Sequence, residues 1–155
     1  MKHRVFAVFL GSALFQAQAS DARTDALCAP LLAFVNAVQP DETRRLAFHT
    51  SWGGNFKNDA SPALMAKRCD HEGYEPAQAV CKYLVEHSSA EFADFNLKRA
   101  LMCLSPDMKI NSLSFKRATI STHYGTDDRG SFVDFELMED TKIGGTVLTI
   151  VVSGY

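Results

Sequence analysis

The chain lacks the short signatures that usually name a reaction. It has no CxxC pair, no HExxH and no GxSxG elbow, so the usual markers of a thiolate zinc site, a helical metalloprotease centre or an α/β-hydrolase nucleophile are missing. A twelve-residue calcium loop of the DxDxDGx5E form is missing too. Basic runs are absent, with 16 Lys and Arg against 18 Asp and Glu. Phosphate-dominated binding needs clustered cations, so nucleic acid is not an expected partner. Tryptophan occurs once, internal repeats and low-complexity tracts are absent, and no apolar run beyond residue 15 approaches membrane-spanning length.

What is present begins at the N-terminus. Lys2, His3 and Arg4 precede the apolar stretch Val5 to Phe15, and Gln16-Ala17-Gln18-Ala19 places small residues where a signal peptidase requires them. Eleven apolar residues rise only about 16 Å as a helix, roughly half of a hydrocarbon core. Residues 1–19 are therefore expected to be a cleavable export signal, leaving residues 20–155 as one domain with no membrane association, in the periplasm or secreted. Loss of Lys2 and Arg4 with no acid moves the formal charge from -2 to -4. Eleven Phe and 46% apolar residues supply enough material for a core and exclude a disordered chain.

All four cysteines, Cys28, Cys69, Cys81 and Cys103, lie after the leader, and an even count in an exported chain reads as two disulfides. Three connectivities are open. The preferred one joins Cys69 to Cys81 across a short loop and Cys28 to Cys103 from first helix to last. No cofactor or metal is expected, since the cysteine spacing does not suit zinc.

The pattern changes along the chain from helix to strand. Cys28, Leu31, Leu32, Val35 and Val38 share one face of a helix expected from Asp25 to about Val38, with Pro40 beyond it. Alternation from Arg44 to Trp52 suits a strand, although a helix from Pro40 through Phe48 is an alternative. Ser61-Pro62, Glu75-Pro76 and the Ser88/Glu91 capping-box pattern mark helix starts, which predicts helices over 62–69, 76–87 and 89–104. The third of these offers Phe92, Ala93, Leu97, Ala100, Leu101 and Leu104 for burial.

The remainder reads as a three-strand meander: 111–124 with a bulge near Lys116 and Arg117, then 132–137, then 146–152. TVLTIVV at 146–152 suggests a central strand buried on both faces, or one packed on a partner subunit, so a homodimer is one assembly the pattern allows. The expected class is α+β, with N-terminal helices on one face of a four-stranded, mainly antiparallel sheet. The strand near residues 45–52 is placed at one edge.

Two loops carry the groups suited to recognition. His49-Thr50-Ser51-Trp52-Gly53-Gly54-Asn55-Phe56-Lys57 offers His49, Trp52, Asn55 and Phe56, and the alternative is that Trp52 and Phe56 cap the core. The tip around residues 125–130 offers Asp127, Asp128 and Arg129 beside Tyr124. Cys69-Asp70-His71-Glu72 is the densest ligand-type cluster, yet a disulfide at Cys69 leaves it an ordinary polar segment, and His87 suits the last turn of a helix. These observations favour a non-enzymatic binding protein with a protein partner, such as an inhibitor. The alternative is a small hydrolase that assembles His49 or His123 with Asp127 or Asp128 through the fold. The outline is similar to that of small exported bacterial inhibitor and immunity proteins in size and address, with no shared motif.

Overall fold

Alternating apolar residues in the last third of the chain force those segments to bury one side, and they do so as paired strands. In a computed structural model describing residues 25–110 and 112–155, three helices and five strands form an α+β fold. Residues 1–19, expected to be an export signal, lie outside the described residues. In chain order the elements are α1 (Cys28–Ala37), β1 (Thr43–Trp52), β2 (Met65–Asp70), α2 (Glu75–His87), α3 (Ala93–Leu104), β3 (Ala118–Gly125), β4 (Gly130–Glu139) and β5 (Thr146–Gly154). The sheet is wholly antiparallel in the order β2-β1-β5-β4-β3.

Register sorts the side chains onto two faces. Leu46, Ile150, Phe135 and Ile120 stand opposite one another across four strands, as do Phe48, Leu148, Leu137 and Ala118. Both rows join a core cluster with Leu31, Phe34 and Val35 of α1, Val80 and Leu84 of α2, and Leu97 and Leu101 of α3. The helices thus cover one face. On the other, Thr43, Arg45, His49, Phe132, Asp134, Ser121 and His123 alternate with those core positions. β5 is the middle strand, and Val147, Leu148, Thr149 and Ile150 are buried in succession, as expected of a strand covered on both faces.

Both disulfides take the preferred pairing, Cys28 to Cys103 and Cys69 to Cys81, with Cα atoms 5.0 and 5.3 Å apart. The first ties α1 to α3, the second ties β2 to α2. Asp25 anchors the start of α1, accepting from the Leu27 N–H at 2.9 Å and from Arg99 of α3 through both carboxylate oxygens at 2.6 Å. Arg99 also donates to the Tyr83 hydroxyl of α2 at 2.8 Å.

Several expectations are corrected. The sheet has five strands rather than four, because residues 65–70 pair with β1 instead of forming the helix expected over 62–69. Helix formers such as Ala66, Lys67 and Arg68 yield here to tertiary demand: the pairing covers the β1 edge, and the Cys69–Cys81 bridge fixes the strand against α2. For the same reason β1 is interior rather than at an edge. The alternative helix through Phe48 does not form.

Residues 112–117 precede β3 instead of belonging to it, so the shift of phase read as a bulge is the boundary between loop and strand. The joint between α2 and α3 is not held by a Ser88/Glu91 box. Ser89 Oγ accepts from the Phe92 N–H at 2.9 Å, while the buried Asn96 amide donates to Ser89 O at 2.7 Å and accepts from its N–H at 3.1 Å. Helix α3 therefore starts at Ala93, and Phe92, expected in the core, is 60% exposed.

Candidate functional site

The end of β1 holds a candidate cluster that joins sequence-distant polar groups to a recognition loop. His49 points to the helix-free face, where its Nδ1 lies 2.8 Å from Asp140 Oδ2 in the β4–β5 turn. Asp140 Oδ1 also accepts from the N–H groups of Lys142 and Ile143 at 2.9 and 3.0 Å. Burial pushes the Asp140 carboxyl up, but the two backbone donors and the His49 ring outweigh it, so its pKa lies below the ordinary carboxylate value. The turn closes through Gly145 at φ +78°, where a Cβ would meet Thr50 O at 2.1 Å; glycine is required there by both conformation and space.

Loop 53–64 folds back over this end of the open face. Phe56 is buried and T-shaped to His49, with ring centroids 6.5 Å apart, and the Arg68 guanidinium of β2 lies over its ring at 5.1 Å. Arg68 in turn pairs with Asp59 at 3.2 Å. The loop is bolted to the β4–β5 turn by Lys57 N–H to Ile143 O at 2.6 Å and Lys57 Nζ to Thr141 O at 2.9 Å. Asn55 serves the loop itself, bonding Ser61 O and the Phe56 N–H at 2.6 and 2.9 Å. His49, Asn55 and Phe56 therefore hold the loop in place. Trp52 alone among these candidates stands out into solvent.

Trp52 has company. It lies opposite Met65 in the β1–β2 register, next to Leu64, whose carbonyl accepts from the Gly53 N–H at 2.9 Å. At the same end of the sheet, Phe92 shares a groove with Glu139 and Thr146, and Phe92, Phe95 and Ser114 line another beside Leu113. Since Thr146 is the register partner of Thr50, both groups flank the same strand ends. All six apolar side chains are well exposed, from 48% for Leu113 to 69% for Leu64. Of these, the sequence pattern marks only Trp52 as a contact group and places Phe92 in the core. Phe92 and Phe95, three residues apart, are the signal that was available for a second exposed apolar face.

The second predicted loop is elsewhere. The tip between β3 and β4 lies at the opposite end of the sheet, where Gly125 pairs with Gly130 and Ser131 with Gly154. The ten residues of β4 separate it from the Trp52 end by roughly 30 Å. Asp127, Asp128 and Arg129 are exposed there, and Arg129 reaches Gln39 Oε1 at 3.5 Å. Tyr124 points the other way and packs against the core. The two loops do not form one surface. His123 stacks on Tyr155 at 6.2 Å, far from Asp140 and without a carboxylate partner among the described residues.

A third feature flanks the short disulfide. A groove of about 650 Å³ is lined by Cys69, His71, Gln78, Cys81, Lys82 and neighbouring α2 residues, and His71 Nδ1 is buried there with no hydrogen-bond partner. His87 is exposed in the last turn of α2, against Tyr83. Among the described residues no group of three or more His, Cys, Asp or Glu is placed to hold a metal ion, and no helix is long and apolar enough to cross a membrane. Compared with known proteins, the chain matches no protein-family model, and no curated protein or solved structure gives a significant match.

Proposed function

We propose that this chain is an exported, disulfide-stabilised binding protein that holds another protein through the apolar end formed by Trp52, Leu64, Met65, Phe92, Phe95 and Leu113. Export is supported by the leader at residues 1–19 together with two disulfides, which persist outside the reducing cytoplasm. The single observation that carries the binding reading is the gathering of six exposed large apolar groups at one end of a small domain. Scattered apolar residues on a surface are ordinary, whereas grouped ones mark contact surfaces. Aromatic anchors such as Trp and Phe dominate binding energy when a partner desolvates them. Glu91, Asp94 and Glu139 rim the Phe92 groove and supply a polar border.

The test is quantitative capture from the exported fraction of the native host. Wild type is compared with a Trp52→Ser, Met65→Ser, Phe92→Ser variant whose circular dichroism matches it. At least one partner is expected to fall about tenfold or more with the variant, as loss of anchor residues predicts. Equal recovery by both proteins, or no partner on the wild type, defeats the reading.

A hydrolase reading retains one specific observation, the hydrogen bond between His49 and Asp140, which is the orienting half of a general-base arrangement. It differs from the pairs expected from sequence, because Asp140 replaces Asp127 or Asp128. Neither residue lines any of the grooves described above, and Phe56 packs against the imidazole. That placement suits a structural clamp better than a reacting centre.

A further inference from the structure

We propose that the Cys69–Cys81 disulfide is a thiol-exchange site for small dithiols, while Cys28–Cys103 is a purely structural bridge. The two bonds differ in surroundings. Cys28 and Cys103 are both buried in the core cluster and line none of the grooves described. Cys81 is as buried as Cys28, but its partner Cys69 is only partly buried, on an edge strand, and both line the 650 Å³ groove. Exchange requires a thiolate to reach a sulfur atom, so access decides which bond reacts.

Charge in the groove does not favour a thiolate, since Glu75 and Glu86 line it beside Lys82; reach to the sulfur of Cys69, on the partly exposed edge strand, is what sets this bond apart. An incoming thiolate attacks Sγ of Cys69, the S–S bond breaks, and its electron pair leaves on Cys81 Sγ. That thiolate takes its proton from water. The second thiol of the reagent, deprotonated, then attacks its own sulfur in the mixed disulfide and releases the Cys69 thiolate, which is protonated in turn. The dithiol is oxidised to a disulfide and the protein bridge is reduced to two thiols, so two electrons and two protons are transferred.

This step is independent of the apolar end, and its consequence is mechanical. With the bond open, β2 keeps its backbone pairing to β1 but loses its covalent tie to α2. The remaining bridge, which closes 75 residues, still constrains the unfolded chain.

The experiment is native-state reduction of the full mature protein with dithiothreitol, quenched by alkylation and mapped by peptide mass spectrometry. The Cys69 and Cys81 peptides are expected to be alkylated together, at a rate about tenfold or more above that for Cys28 and Cys103, with far-ultraviolet dichroism unchanged. Reduction of Cys28–Cys103 first, reduction of both bonds together, or no alkylation until the protein unfolds overturns the proposal.

Discussion

Two aromatic residues four apart, one at the end of β1 and one in the loop after it, have opposite fates, and the difference follows from what lies beneath each. Phe56 is 3% exposed, packed against His49 and Arg68 over the helix-free face, while Trp52 is half exposed in the last register pair of β1 and β2, opposite Met65. Phe56→Ala should therefore cost about 3 kcal/mol or more, because it removes a packed ring and opens a cavity. Trp52→Ser should change stability by no more than about 0.5 kcal/mol. Chemical denaturation of the two variants checks both, and similar losses would place Trp52 in the packed structure and remove it from the proposed contact surface. The sequence contained Trp52, Phe56 and the turn-forming glycines but not this division of labour. Burial of Phe56 depends on Asp140 and Lys57 bonding across 91 and 84 residues, and separations of that kind leave no local pattern.

Among the elements, the joint between α2 and α3 depends on one buried amide. Asn96 is 1% exposed and satisfies both the N–H and the C=O of Ser89, so Asn96→Leu strands two backbone groups as well as losing the hydrogen bonds. A loss of about 2–3 kcal/mol is expected from thermal or urea unfolding. Amides near Ser88 to Phe92 should exchange faster, whereas a variant as stable as wild type would mean that water serves these groups equally well. Where local rules and tertiary demand agree, the elements were readable. α1 and α2 follow apolar spacing and the Glu75-Pro76 start, and β5 follows its uninterrupted apolar run. β2 was not readable, because Ser61-Pro62 imitates a helix start and MAKRCD has no clean alternation. Only the neighbouring edge of β1 and the distant Cys81 make it a strand. The start of α3 was misjudged for a related reason, since Asn96 reaching back to Ser89 competes with the capping box that Ser88 and Glu91 suggest.

Across the whole molecule, three depressed carboxyls, Asp25, Glu42 and Asp140, shape how it meets acid, and two of them tie separate elements together. Hydrogen bonds from Arg99 hold Asp25 below the ordinary carboxylate value, with the Leu27 N–H adding to them, and Asp140 lies low through its backbone donors and His49 despite burial. For groups whose folded pKa lies beneath the unfolded value of about 4, the stabilisation is complete above that value. It is lost as pH falls through the folded pKa values. Stability should thus be level through neutral pH and decline only in the acid range. Asp25→Asn keeps an oxygen for the Leu27 N–H but gives up the charged, two-pronged contact with Arg99, so at pH 7 it should cost about 2 kcal/mol. In acid, where the native carboxyl is itself protonated, the urea midpoints of variant and wild type should draw together. A difference that stays constant from neutral pH into acid would show that the charge on Asp25 contributes nothing, and that the first helix is held to α3 by the Cys28–Cys103 bridge and packing alone.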